Sequence, residues 1–217
     1  MLRRLKRWIV FAAVVLAGLA VLAATQMPYL PLIHGSRADE VERLAAWLGL
    51  RPGMRIADLG AGDGSFAVAV ARRIGASGLV YASEIDRKRI AEIEQAATTA
   101  RLSNVKVIAG AASSTNLPQD CCDALFSRVV YHHLTDPAAI NADAFRALRP
   151  RGLMLVIDFE PGGLMDWIGR PQTAERRGGH GTPKEAVVKE VTAAGFQLAW
   201  GPERWRGRLY AVLFRRP

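Results

Sequence analysis

The chain has 217 residues, of which 50% are hydrophobic and 23% are charged, and its formal net charge at pH 7 is +9. This composition excludes an intrinsically disordered chain and is typical of one globular domain with a sizeable core. Arg3, Arg4, Lys6 and Arg7 precede the first acidic residue, so the rest of the chain is only mildly basic. No dense basic patch is interleaved with aromatic residues, and nucleic acid is therefore not an expected partner.

An apolar segment comes first in the chain. Residues 8–24 contain no charged residue, and a helix of that length would cover about 26 Å, close to the thickness of a bilayer core. We therefore predict a basic N-terminus with a transmembrane anchor over residues 1–27 and a linker over residues 28–37. A cleaved signal segment is the alternative.

Residues 38–217 are predicted to form one α/β domain. Ser36 or Asp39 is expected to cap its first helix, which carries Val41, Leu44 and Leu48 at helical spacing. Apolar strands and amphipathic helices then alternate, which predicts a doubly wound, mostly parallel sheet. Strands are expected at 54–60, 79–84, 105–110, 123–130 and 152–159, helices at 64–74, 86–100, 137–148 and 183–194, and a closing hairpin at 196–200 and 208–214.

Two further features interrupt this pattern. Residues 160–182 form a long irregular stretch, which is typical of a functional loop on the substrate side. Cys121 and Cys122 are the two cysteines of the chain, and we expect separate thiols because disulfide geometry is hard to meet between neighbours. Trp200 and Trp205 are expected to pack in the core or against the hairpin.

A glycine-rich turn follows the first strand in the sequence ADLGAGDGSF (57–66). Ser65 stands where the dinucleotide fingerprint G-x-G-x-x-G has its third glycine. Glu84 ends the second strand, 20 residues beyond Gly64, where a carboxylate can accept hydrogen bonds from two ribose hydroxyls. The spacing predicts a ribose-containing ligand and leaves nicotinamide and adenosyl cofactors open.

Five stretches, in their order along the chain, resemble one family. ADLGAGDGSF, VYASEIDRKRI, NLPQDCCDALFSRVVYHHLTDP, ALRPRGLMLVIDFEP and VVKEVTAAGF are similar to the motifs of class I S-adenosylmethionine-dependent methyltransferases, in particular the bacterial type-11-like group. The resemblance covers residues 38–217. It implies a Rossmann-like seven-stranded sheet with an antiparallel last strand, S-adenosyl-L-methionine as cofactor, and methyl transfer to a small-molecule or lipid-like acceptor.

The resemblance also implies a set of cofactor-binding positions. Glu84 would bind the ribose and Ile85 would pack on the adenine. The group commonly has an acidic adenine-binding residue after the third strand, whereas Ala111 and Ala112 stand here, so that backbone groups or Ser113 would contact the adenine. The full implied set is Asp58, Gly60, Ala61, Gly62, Gly64, Glu84, Ile85, Ala111, Ala112, Ser127, Arg128 and Val129.

Three histidines are candidates for the chemistry. His132 and His133 follow the fourth strand and His180 ends the long loop. A histidine can act as a base where the methyl acceptor carries a proton, but each of the three has a structural role as its alternative. No metal is expected, because adjacent histidines rarely ligate one ion together. An NAD-dependent oxidoreductase and a non-catalytic adenosyl-binding module are the competing functions.

The anchor and the cofactor give opposite indications about location. The positive-inside rule keeps the N-terminal arginines in the cytoplasm and places the domain outside the bacterial inner membrane. S-adenosylmethionine, in contrast, indicates a cytoplasmic domain. The sequence thus predicts a membrane protein and leaves the side of its domain open.

Overall fold

The computed structural model describes residues 36–161 and 181–217, together with Val14, Val15 and Gly18. The rest of the predicted anchor, the linker up to residue 35, and residues 162–180 of the predicted loop, including His180, lie outside the described residues. Val14, Val15 and Gly18 are helical. Within the described part of the chain, no helix combines the length and the apolar character that crossing a bilayer requires.

Helices and strands alternate along the described chain as predicted. The elements are α1 Arg37–Leu48, β1 Arg55–Leu59, α2 Ser65–Ile74, β2 Leu79–Glu84, α3 Arg87–Thr99, β3 Val105–Ala109, β4 Cys122–Arg128, a 3-10 turn Tyr131–His133, α4 Pro137–Ala147, β5 Leu148–Phe159, α5 Lys184–Ala193, β6 Gln197–Arg206 and β7 Leu209–Arg215.

These strands form one seven-stranded sheet in the order β3-β2-β1-β4-β5-β7-β6. The pairs from β3 to β5 are parallel, and β7 runs antiparallel to both of its neighbours. The predicted doubly wound sheet and its antiparallel last strand are confirmed.

Helices cover the sheet on both faces. Ile56, Phe126 and Leu155 are fully buried on the face covered by α1, α2 and α3. Leu125 and Val156, their neighbours along β4 and β5, are buried on the face covered by α4 and α5. Adjacent strand residues point to opposite faces, and burial on both faces explains the nearly continuous apolar strands.

Two strands are longer than their patterns predict. β5 begins at Leu148, because Leu148 pairs with Cys122 while Leu153 pairs with Ala124, so that the residues between them form a bulge. β6 continues to Arg206 through three register shifts against β7. The β5 extension contains Pro150, and the β6 extension contains Gly201 and Pro202. Both residue types are turn signals in a sequence, although a bulged strand also accommodates them.

Helix α1 begins with the predicted cap, and its first turn is joined to the sheet. Ser36 accepts a hydrogen bond from the backbone of Asp39, and the Asp39 side chain accepts from the backbone of Ser36, which completes a capping box. The first turn carries Glu40, which contacts Arg128 at the carboxyl end of β4. Gly49 caps the other end of α1, near the start of β1.

The prediction for the two tryptophans is right for one of them. Trp205 is 3% exposed and packs edge-on against Trp47 with ring centroids 5.5 Å apart. Trp200 is 62% exposed, and its indole N–H donates to Glu203 at 2.9 Å. It lies on β6, the edge strand of the sheet, where the register shifts leave the side chain in solvent.

The prediction of two separate thiols is wrong in this structure, which joins Cys121 and Cys122 in a disulfide. Cys121 precedes β4, and Asp120 before it has a positive φ of 47°. The chain therefore turns as it enters the strand, and both cysteines are buried in the same cluster. An alternating strand pattern would have placed them on opposite faces.

Candidate active site

The three glycines of the turn after β1 all have left-handed backbones, with φ of 74° at Gly60, 57° at Gly62 and 75° at Gly64. A Cβ on Gly60 would lie 2.5 Å from a methyl carbon of Val130, and one on Gly64 would lie 2.9 Å from the Cα of Ile93. At Gly62 no atom would lie within 4 Å. Packing thus explains the outer two glycines, while the middle one leaves open space beside the backbone.

Glu84 ties this turn to the end of β2. One carboxylate oxygen accepts from the backbone N–H of Gly62 at 2.9 Å, and the other accepts from the N–H groups of Ile85 at 2.8 Å and Asp86 at 3.1 Å. The carbonyl of Ser83 accepts from the backbones of Gly60 and Ala61. Carboxylate oxygens have further acceptor capacity, so a fixed Glu84 can also bind ligand hydroxyls.

Asp58 and Ser127 are buried polar residues at the carboxyl ends of β1 and β4. Asp58 is 2% exposed and Ser127 is fully buried. Within the described chain, Oδ2 of Asp58 and Oγ of Ser127 have no hydrogen-bond partner. Burial, together with the negative charge of Glu84, raises the pKa of Asp58 to about 8. Such orphaned atoms are uncommon in native interiors, and they fit a ligand with cationic and polar groups.

The predicted adenine side lies where β2 and β3 end. Ile85 is 65% exposed, and a Cβ on Gly110 would lie 3.5 Å from its Cγ2. Ala111 pairs with Ser114 across a tight turn, and Asp143 accepts from the backbone N–H of Thr115 at 2.7 Å. The turn therefore presents the exposed Ala111 and Ala112 beside an apolar Ile85 ledge.

The end of β4 is joined to helix α1. The Arg128 guanidinium donates to both carboxylate oxygens of Glu40, at 2.6 and 3.0 Å. Glu40 also accepts from the indole of Trp205 at 2.9 Å and from Arg206 at 3.0 Å. Burial disfavours its charge, yet the hydrogen bond and charge of Arg128, with Trp205 and Arg206, outweigh burial and lower the pKa of Glu40.

The sequence interpretation missed this cluster. Arg128 is one of the predicted cofactor positions, and its guanidinium binds Glu40 and lies 4.7 Å from the ring of Phe66. Val129, its neighbour, has a positive φ of 58°, and its N–H donates to Ile157 of β5 at 2.7 Å. A buried acid in an otherwise apolar helix stripe was the signal in the sequence, since such an acid needs a partner.

The two adjacent histidines have different surroundings. His132 is 3% exposed, and Asp158 binds it twice, through Nδ1 and through the backbone N–H, each at 2.8 Å. His133 is exposed, and its ring centroid lies 4.0 Å from that of His132. Partial burial and the neighbouring His132 lower the pKa of His133, so its imidazole is neutral at pH 7. Residues 36–161 and 181–217 contain no group of His, Cys, Asp or Glu that could hold a metal ion.

Most of the predicted cofactor positions thus meet at the carboxyl edge of the sheet, at the ends of β1, β2, β3 and β4. A sheet of this order, with a glycine turn after β1 and an acid after β2, is the architecture of the class I methyltransferase fold. Residues 57–156 match the family model of the methyltransferase domain.

One curated relative is the "Ubiquinone/menaquinone biosynthesis C-methyltransferase UbiE" of Vibrio parahaemolyticus. It is 29% identical over 112 residues, which are 51% of this chain and 43% of that protein. The chain thus spans less than half the length of this relative.

Solved structures give the same fold. A SAM-dependent methyltransferase from Aquifex aeolicus superposes with a TM-score of 0.70 at 18% identity, over 90% of this chain and 97% of that chain. The phosphoethanolamine N-methyltransferase 2 of Haemonchus contortus, in complex with S-adenosyl-L-methionine, superposes with a TM-score of 0.61 at 18% identity, over 75% of this chain and 37% of that chain. At these identities the two superpositions show the fold alone, and the matches together show that the chain is similar to methyltransferases.

Proposed function

We propose that this protein transfers a methyl group from S-adenosyl-L-methionine to a small-molecule or lipid-like acceptor near a membrane. The observation that carries the proposal is the hydrogen bond between Gly62 and Glu84, beside open space at Gly62. It holds the carboxylate that would bind the ribose against the one glycine of this turn that packing does not explain. Ser65, in place of the third dinucleotide glycine, favours this cofactor over NAD.

The residues at the carboxyl edge fit the parts of this cofactor. Glu84 would accept from the ribose hydroxyls and Ile85 would contact the adenine. Asp58, neutral at pH 7 because of its raised pKa, would lose its proton when a cationic group of the cofactor binds nearby, since an opposite charge favours the carboxylate. Bound, the cofactor supplies a methyl group activated by positively charged sulfur.

Positioning would provide most of the remaining catalysis, since the acceptor atom, the methyl carbon and the sulfur must be in line. Where the acceptor carries a proton, His133 would take it, because its neutral, exposed imidazole can accept one. His132, held by Asp158, would position the turn that carries His133. His180 and residues 160–182 are proposed to complete the acceptor side.

The nature of the acceptor rests on two indications. The name of the Vibrio relative assigns it to C-methylation in ubiquinone and menaquinone biosynthesis. The uncharged segment over residues 8–24 is proposed to anchor the chain to a membrane. Both favour an acceptor that is apolar or dissolved in lipid.

Calorimetric titration of the full chain with S-adenosylmethionine and S-adenosylhomocysteine tests the cofactor assignment. We expect both ligands to bind, and Glu84→Gln to weaken them about tenfold or more, because a charge-assisted contact is lost. Glu94→Gln, an exposed change on α3, is the matched control and should leave affinity unchanged. Binding of NADH in place of both ligands at millimolar concentration would reverse the assignment in favour of an oxidoreductase.

A further inference from the structure

A cavity of about 750 Å³ lies at the amino edge of the sheet, opposite the carboxyl edge that carries the glycine turn. It is bounded by the C-terminal half of α1, the segment before β1 and the start of β5, where the parallel strands begin. Part of its lining is apolar, with Ala45, Leu48 and Met54. The cavity is therefore remote from the glycine turn and has no part in the proposed methyl transfer.

The rim of this cavity is basic. Four arginines and two carboxylates line it. Arg149 is paired with Asp123 at 2.6 Å, and Arg73 lies 3.7 Å from Glu42. Arg51 and Arg151, the other two arginines, form no ion pair with any residue that the structure describes. Two guanidinium groups thus stand beside an apolar floor with their charges uncompensated.

Arg151 has an unusual backbone. Its φ is 66°, a left-handed conformation that is strained for a non-glycine residue. It stands between Pro150 and Gly152, and its N–H donates to the carbonyl of Arg216 at 2.9 Å. Glycine would adopt this backbone without strain. Backbone strain of this kind is concentrated at functional sites, so the strained Arg151 beside the cavity indicates a role for its side chain.

From these observations we infer that the cavity binds an anionic amphipath with a phosphate head. Arg51 and Arg151 bind the head, because guanidinium groups form paired, charge-assisted hydrogen bonds with phosphate oxygens. The apolar part of the ligand lies against Leu48 and Met54. The inference is independent of the proposed methyl transfer, which uses the other edge of the sheet. A phospholipid and a soluble organic phosphate share this chemistry.

Titration of the full chain with soluble probes tests the inference. Two probes are anionic amphipaths: dihexanoyl phosphatidic acid, below its micelle concentration, represents a lipid, and 1-naphthyl phosphate represents a soluble organic phosphate. Dihexanoyl phosphatidylcholine and inorganic phosphate serve as comparisons. We expect at least one of the two anionic amphipaths to bind more tightly than the zwitterionic lipid and inorganic phosphate. Arg151→Gly should weaken it about tenfold or more while raising the melting temperature, because glycine relieves the strain. Arg51→Gln should weaken it similarly.

Arg101→Gly is the matched control, since Arg101 is also exposed and left-handed, with φ of 56°, but does not line the cavity. It removes the same charge and relieves the same kind of strain, and should leave affinity unchanged. The inference is overturned if neither amphipath binds at millimolar concentration, if Arg101→Gly weakens binding as much as Arg151→Gly, or if inorganic phosphate binds as tightly as the amphipaths.

Discussion

The carboxyl edge and the amino edge of the sheet are lined by different chemical groups. At the carboxyl edge, backbone N–H groups, three left-handed glycines and the carboxylates of Asp58 and Glu84 surround open space. At the amino edge, long arginine side chains surround an apolar floor. In a parallel sheet the carboxyl ends of the strands lie at one edge and the amino ends at the other. The two edges can therefore carry different charges. The basic rim therefore lies away from the edge where a cationic sulfonium would bind.

Glu40 and Glu42 lie on α1, the first near the carboxyl edge and the second near the amino edge. Their substitution by alanine should show the largest difference in unfolding free energy. Glu40 is buried against Arg128 and Arg206, whereas the Glu42 side chain is 66% exposed and 3.7 Å from Arg73. Removing one partner of a buried ion pair costs about 3–5 kcal/mol, while an exposed pair contributes about 0–1 kcal/mol. Urea unfolding should therefore show a large loss for Glu40→Ala and almost none for Glu42→Ala. Equal losses would mean that Glu40 does not join α1 to the sheet.

The next largest effect is expected in cofactor affinity, when alanine replaces one of two left-handed glycines. Gly62 and Gly49 have φ of 57° and 60°, and a Cβ on either would meet no atom within 4 Å. Alanine should cost each variant the same 1–2 kcal/mol or so in unfolding free energy, from backbone strain alone. Calorimetry should show that only Gly62→Ala weakens S-adenosylmethionine, by about tenfold or more, because its methyl group occupies ligand space. Unchanged affinity would place the cofactor away from the middle glycine.

A third contrast between the two edges is one of pH dependence. Asp58 has a raised pKa of about 8, so the folded state retains a proton that the unfolded state releases, and the stability from the neutral carboxyl falls as pH rises from about 4 to 8. Asp120, at the amino edge, has a lowered pKa because Arg216 and Gln119 bind it. Its contribution is lost as pH falls through the acidic range.

Thermal melts from about pH 2 to about pH 8 check this contrast, because Asp120 loses its contribution below the ordinary aspartate pKa of about 4. Asp58→Asn should flatten the fall toward pH 8, and Asp120→Asn should flatten the acid side. If Asp58→Asn leaves the slope between pH 4 and 8 unchanged, the carboxyl ionises at its ordinary pKa in the folded protein. Proton release on cofactor binding, measured by calorimetry in two buffers of different ionisation enthalpy, should also disappear in Asp58→Asn.

Much of the carboxyl edge could be predicted from sequence, because its determinants are local. Glycine turns, strand ends and Glu84 lie in short motifs, and alternating strands and helices fix which ends meet. The ion pair between Glu40 and Arg128 joins residues 88 positions apart, and no local pattern specifies it. The disulfide between Cys121 and Cys122 depends on how the chain turns into β4.

The amino edge was missed for a different reason. Its arginines are scattered over the segment after α1, the last turn of α2 and the start of β5, so no run of basic residues shows in the sequence. The left-handed Arg151 sits between Pro150 and Gly152, where a turn signal gives no indication of which residue takes positive φ. Only the folded sheet brings Arg51 and Arg151 to the rim of one cavity.

The hydrogen bonds between Arg151, Gly152 and Arg216 have a practical consequence for labelling. A purification tag or fluorescent reporter fused after Pro217 would begin one residue from the backbone that supports Arg151. It would therefore be attached beside the backbone of a residue that lines the amino-edge cavity, and away from the glycine turn. Insertion of a small label at the Arg101 turn, which is exposed and does not line that cavity, keeps a reporter away from its rim.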